Sequence, residues 1–377
     1  MQQQTEEQNQ RLREIKVKDL TAEKRRLVEV PYTASLTHAM NVFVANKVVA
    51  VPVAAPPGHW IGAGGSMIME SDKHTGAVRK HYIGMLTMLD ILAHIAGDDE
   101  INGGGGGGGG GDDGSDVDKK MSVPVSSIIG HCLEGLSLWT LNPNTSILDF
   151  MEVFSKGIHR ALVPTGGQME NISGVELVES ASSYQMVTQM DLFKFLMNHS
   201  SDELDGILSH SVKELGAVNE TVFAITDLTK VIDAIKCMKA ALLNAVPIVK
   251  AAHSLEEDPK QLINGKSRQL VGTFSATDLR GSHFASLQTW LPLTALEFTE
   301  TVRTSPLFST ASNTIQSREL ITCHVDSPLS EVINKALTKH VHRVWVVNRG
   351  LLAGVVSLTD MTRVLRVSLL SEPQNCC

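Results

Sequence analysis

Apolar residues recur at helical spacing in four places along the chain. Leu36, Ala39, Met40, Phe43 and Val44 fall on one helical face, as do Ile147, Phe150, Met151 and Phe154. Leu228, Val231, Ile232 and Ile235 repeat the spacing, and Leu329, Val332, Ile333, Ala336 and Leu337 give it most cleanly. Ser327-Pro328 sets a capping hydroxyl before a proline suited to the first helical position. Each predicted helix is followed by a short apolar run that reads as a strand: VVAVPV (48–53), ALVP (161–164), NAVPIV (244–249) and VWVV (344–347). Proline in the first three argues for strand ends or edges, because it cannot donate to a ladder.

A second apolar run then ends in a shared tail. It reads GMLTMLD (84–90), GTFSATD (272–278) and GVVSLTD (354–360), with a degenerate copy, QMVTQMD (185–191), that has lost the glycine. In all four a hydroxyl stands three residues before an aspartate: Thr87 and Asp90, Thr188 and Asp191, Ser275 and Asp278, Ser357 and Asp360. Apolar residues follow. The repeated unit is therefore helix, strand, turn, strand, helix, with the hydroxyl and carboxylate where the second strand gives way to the last helix. The interval from helix to aspartate is shortest in the fourth copy. The extra residues of the others fall in turn-rich sequence between the two strands, where closure entropy penalises length only weakly.

The copies are predicted over 15–97, 122–200, 205–290 and 318–370. A Gly-rich acidic linker (98–121), with an unbroken glycine run flanked by acids, separates the first two, and a connector (291–317) separates the last two. No Gly-Lys-Ser/Thr follows the glycines, so they do not read as a phosphate loop.

Composition narrows the function. The 377 residues are 42% hydrophobic and 20% charged, as expected of a globular protein, and the net charge of −8 argues against nucleic acid or an anionic membrane as partner. Five scattered cysteines with no CxxC pair fit a reducing compartment. The polar N-terminal stretch has no signal-peptide pattern and no apolar run could span a bilayer, which places the protein in the cytoplasm or nucleus. Cys376-Cys377 has no polybasic neighbour and reads as a plain tail. No nucleophile elbow, HExxH, Walker or zinc spacing is present, so neither an enzyme nor a metal site is expected.

Two roles fit each aspartate. One is an ordinary helix cap. The other is a ribose contact, since a carboxylate can accept hydrogen bonds from both vicinal hydroxyls, while the hydroxyl at minus three meets a phosphate or base edge. His-Arg recurs at the helix-to-strand junction of two copies, His159-Arg160 and His342-Arg343. Each Arg could serve the helix dipole, or could grip phosphate oxygens with paired charge-assisted bonds.

These residues carry a resemblance. VHRVWVV followed by GVVSLTD, with GIHR and SYQMVTQMDLFKFL, resembles the four-CBS-motif gamma regulatory subunits of AMP-activated and sucrose-non-fermenting-type protein kinases, on the plant gamma-like branch. The resemblance implies an α/β (α+β) fold of four CBS motifs, paired one with two and three with four into Bateman modules that form a disc. It implies a non-catalytic energy-sensing subunit bound to a kinase alpha and a beta subunit, with AMP, ADP or ATP as regulatory ligand and no cofactor. Asp90, Asp191, Asp278 and Asp360 would hold ribose, and His159, Arg160, His342 and Arg343 phosphate. Thr87, Thr188 and Ser275 would line their clefts, as would Ser357 and Thr359. Two departures weaken the cationic set. Val49 stands in the region where the family pattern has an Arg, with only Lys47 nearby, and Met190-Asp191 replaces a Lys-Arg of the animal subunits. A scaffold that no longer senses nucleotides is the alternative.

Overall fold

The computed structural model describes residues 14–22, 24, 26–55, 81–97, 113–130, 138–165, 171–172, 175–176, 183–199, 202–252, 257–281, 289–304 and 320–371. A short helix α1 (Val17–Thr21) precedes the first copy, which contains β1 (Val30–Pro31), α2 (Leu36–Asn46), β2 (Ala50–Ala54), β3 (Tyr82–Thr87) and α3 (Met88–Ala96). Helix α4 (Asp113–Ser122) leads to the second copy: α5 (Ile147–Ser155), β4 (Arg160–Thr165), a small hairpin of β5 (Asn171–Ile172) and β6 (Val175–Glu176), β7 (Ser183–Thr188) and α6 (Gln189–Asn198). After α7 (Asp202–Ser209) the third copy has β8 (Phe223–Thr226), α8 (Val231–Ala240), β9 (Ala245–Val249), β10 (Ile263–Asn264), β11 (Leu270–Ser275) and a 3₁₀ turn (Ala276–Gly281). Helix α9 (Ala295–Thr304) precedes the fourth: β12 (Thr322–Cys323), α10 (Leu329–Lys339), β13 (Arg343–Asn348), β14 (Leu351–Ser357) and α11 (Leu358–Ser371).

The copies superimpose in register. In each, two antiparallel strands align the start of the first with the hydroxyl of the tail: Ala50 with Thr87, Arg160 with Thr188, Ala245 with Ser275, Arg343 with Ser357. One backbone bond recurs at the same place, from Met88 N to Val49 O, Gln189 N to His159 O, Ala276 N to Asn244 O and Leu358 N to His342 O, at 2.8–3.2 Å.

Two kinds of contact join the copies. The helices of copies one and three share one apolar core, in which Phe43, Leu92 and Ile95 meet Ile235, Met238 and Phe298. Those of copies two and four share another, in which Phe150, Phe154 and Phe193 meet Ile333, Met361 and Leu365. The sheets pair the other way. Tyr82 of copy one packs edge-on against Tyr184 of copy two, ring centroids 5.5 Å apart. Copies three and four are joined by backbone bonds Ser267 N to Leu352 O (2.7 Å) and Leu352 N to Arg268 O (2.8 Å), and by Trp345 Nε1 donating to Thr273 Oγ1 at 2.8 Å. Sheet seams between one and two and between three and four, with helix cores between one and three and between two and four, close a ring of four.

Several local expectations change. Pro52 and Pro247 lie in β2 and β9, which are central strands and not edges. The parallel neighbour of each begins pairing only one residue later, at Val53 and Ile248, so no ladder bond is asked of the proline. Leu228 precedes its helix and is 62% exposed; the buried stripe starts at Val231. Pro328 is the N-cap of α10 and Leu329 its first residue, one position later than the capping pattern predicts. The end of the predicted linker is ordered as α4, which buries Val117 and Met121. The predicted connector contains α9, with Ala295 and Phe298 in the core. The glycine run and residues 305–317 lie outside the described residues.

Candidate functional site

Three helix-to-strand turns converge on one cavity of about 170 Å³. From copy one come Lys47, Val48, Val49 and Ala50; from copy two His159, Arg160, Met186, Thr188, Gln189 and Met190; from copy four His342 and Leu358. The local sequence sets each turn. Lys47 ends α2 in the left-handed conformation (φ 54°), its N–H bonded to Phe43 and Val44 carbonyls. His340 ends α10 the same way (φ 52°), and Gly157 (φ 92°) follows α5. Each reversal throws the following residues toward the ring centre. No carboxylate lines the cavity, whereas Lys47, Arg160 and two imidazoles do. That set favours an anion, and the flanking Met186, Met190 and Leu358 supply apolar surface beside it.

The four aspartates are not gathered there. Asp90 is fully buried (0% exposed), its Oδ2 accepting from Thr87 N at 2.8 Å and Thr87 Oγ1 at 2.5 Å. Asp191 accepts from Thr188 N and Oγ1 (2.8 and 2.7 Å) and from Lys24 Nζ at 2.6 Å. Asp360 accepts from Ser357 N at 3.0 Å and from the Ser357 hydroxyl, with Arg363 at 3.8 Å. Asp278 accepts from Ser275 N at 3.0 Å, but Ser275 Oγ turns to Asn244 O and Thr277 Oγ1, and the segment begins a 3₁₀ turn instead of an α-helix. The capping role open to these residues is therefore filled in every copy.

The two His-Arg pairs part company. His159 and Arg160 both line the cavity, and the Nη1 nitrogen of Arg160 is buried. His342 lines it as well. Arg343 does not: Nη1 donates to Ala245 O of copy three at 2.7 Å. Although the residue keeps some surface exposure, its guanidinium is enclosed, and burial pushes it down to about 10 against the opposing pull of Asp360. The expectation that both Arg residues face phosphate is thus corrected for Arg343 by the direction of its side chain. Thr188 reaches the cavity wall, while Thr359 accepts from Gln189 Nε2 at 2.9 Å and so ties copy four to copy two. Sequence reasoning noted Lys47 only as a neighbour and missed Gln189 and Lys24. Lys47 was recoverable as the residue ending a helix just before a strand; Lys24 carried no periodic signal. Among the described residues no cluster of metal-binding side chains occurs and no helix is long and apolar enough to cross a membrane.

Residues 312–367 match the CBS domain family. Over 369 residues the chain is 61% identical to an Arabidopsis thaliana protein described as SNF1-related protein kinase regulatory subunit gamma-like PV42a, covering 97% of this chain and 98% of that one. The chain belongs to this gamma-like family. A second Arabidopsis member, gamma-like PV42b, is 59% identical over 362 residues, covering 96% and 97% of the two chains. Among solved structures, protein MJ1225 of Methanocaldococcus jannaschii, described as a candidate archaeal homolog of g-AMPK, aligns over 93% of this gamma-like chain and 99% of its own, with TM-score 0.58 and 18% identity. It shares the fold. The ring of four copies is thus the α/β architecture of paired CBS motifs.

Proposed function

We propose that this gamma-like chain is a non-catalytic regulatory subunit of an SNF1-related kinase complex, working in cytoplasm or nucleus beside a catalytic alpha and a beta subunit. Its central cavity receives the phosphate of an adenine nucleotide: AMP, ADP or ATP. The observation that carries this reading is the convergence of Lys47, His159, Arg160 and His342, from three copies, on a cavity lined by no carboxylate. A ligand held there touches three of the four copies and favours whichever arrangement of the ring fits it best, which is the requirement for regulation by binding. The names of the Arabidopsis relatives support the kinase setting. Ribose contact falls to the carboxylates that keep some exposure, of which Asp360 (side chain 21% exposed) is beside the fourth copy's Ser357 and Thr359.

Arg160→Gln removes a charged donor from the cavity and is expected to weaken AMP binding by about 1.5–3 kcal/mol, the worth of a hydrogen bond to a charged group. Isothermal titration of the folded variant against the parent checks it, and equal affinities would remove the cavity from the nucleotide-binding account. The second reading, an interaction scaffold without nucleotide sensing, has its own support: every tail aspartate is already engaged in the fold, one of them fully buried. Titrations of the parent protein with AMP, ADP and ATP that release no heat would decide for the scaffold.

A further inference from the structure

The segment before copy one does not simply enter it. Residues 15–18 are sewn to copy two, with Val17 N bonded to Thr145 O, Lys18 N to Pro143 O and Ile147 N to Ile15 O, at 2.9–3.0 Å. The chain then crosses to copy one, where β1 pairs in parallel with β2. Three side chains mark the crossing. Lys24 Nζ lies 2.6 Å from Asp191 Oδ2. Leu27 packs into an apolar slot formed by Leu162, Tyr184 and Met186 of copy two and Tyr82 of copy one. Glu29 accepts from the Tyr82 hydroxyl at 2.5 Å. The strap is also gripped by Gln185, whose Nε2 donates to Lys24 O at 3.1 Å. Gln185 holds the tail position that is Gly84, Gly272 and Gly354 in the other copies, so this grip is particular to copy two.

From these contacts we infer that the cleft between copies one and two is a nucleoside site plugged by the chain's own strap. Lys24 occupies the carboxylate that a vicinal diol would engage, and Leu27 fills the flat apolar slot, walled by two tyrosines, that a purine base would enter. The inference rests on the reading of the tail aspartates as ribose contacts. It is separate from the central cavity, whose cationic lining selects for phosphate. The ligand class is a purine nucleoside with free 2′ and 3′ hydroxyls, and its entry requires the strap to lift.

The test uses the full chain and adenosine, which has no phosphate for the central cavity. Lys24→Met keeps the aliphatic stem and removes the ammonium; Lys24→Met with Leu27→Ala also clears the slot. Adenosine is expected to bind both variants at least tenfold more tightly than the parent by isothermal titration. It is expected to raise their melting temperatures more than the parent's. The gain should vanish with 2′,3′-dideoxyadenosine and in an Asp191→Asn background. Lys24→Met with unchanged adenosine affinity would overturn the proposal, and so would a gain that dideoxyadenosine shares. If the double variant does not fold, the single variant decides. AMP binding that depends on Arg160 in the parent, with no adenosine gain in Lys24→Met, would leave the central cavity standing and reject the plug alone.

Discussion

Arg343 and Arg160 occupy the same register position, each across the strand pair from the hydroxyl of its tail, yet they do different work. The difference comes from what lies opposite. Arg160 meets the cavity where three copies converge, whereas Arg343 meets the Ala245 carbonyl of copy three across the sheet seam. Arg343→Gln should therefore lower the unfolding free energy by about 1–3 kcal/mol, because a buried carbonyl loses its donor. AMP affinity should stay within about twofold of the parent. Urea denaturation and titration of the same preparation measure both, and lost affinity with unchanged stability would put Arg343 back among the phosphate contacts. A sequence shows that His-Arg recurs; it does not show which neighbour each guanidinium will find, because the neighbour comes from a copy distant in the chain. The aspartates teach the same lesson from the other side. Their fixed spacing from a hydroxyl announced a capping box, and the capping box is what each backbone builds, but exposure ranging from Asp90 to Asp360 depends on packing that spacing does not encode.

At the scale of elements, hydrophobic periodicity was a faithful guide where a helix lays one stripe on the core. All four predicted faces are buried, with Leu228 the exception at a helix entrance. Proline misled because the edge rule assumes that neighbouring strands run alongside for their whole length, and here the parallel partners are two residues long or little more. The tail glycine has a physical reason that becomes visible only in the packed sheet. A Cβ on Gly354 would stand 2.7 Å from Val218 Cγ1 and 2.9 Å from Asn219 O, in the seam where Asn219 and Val355 exchange backbone bonds. The backbone oxygen cannot rotate aside. Gly354→Ala is expected to cost about 1–3 kcal/mol, the range for forcing extra volume into a packed interior, read from chemical denaturation. A neutral effect would mean that the third and fourth copies can slide apart at this seam without penalty.

For the whole molecule, the repeat was legible because each copy is written contiguously, while the ring was not, because its helix cores join copies one with three and two with four. Closure has a consequence for stability. Neither core can open without breaking a sheet seam, so the two should unfold together instead of module by module. Two buried cysteines report on the two halves of this claim. Cys237 sits on α8 of copy three, its thiol pushed up by burial and donating to Lys260 O. Cys323 lies in the core of copies two and four, its thiol pushed up to about 12 by burial. Both are poor nucleophiles while the fold is intact, since the thiolate is the reactive form. With Cys132, Cys376 and Cys377 replaced by serine, alkylation across a urea series should give one midpoint for both sites. A nucleotide seated among three copies should move that midpoint for both equally, by about 2.7 kcal/mol of added stability at a hundred times its Kd. If Cys237 reacted at lower urea than Cys323, the ring would be two separable halves, and a ligand at its centre would have no single arrangement to select.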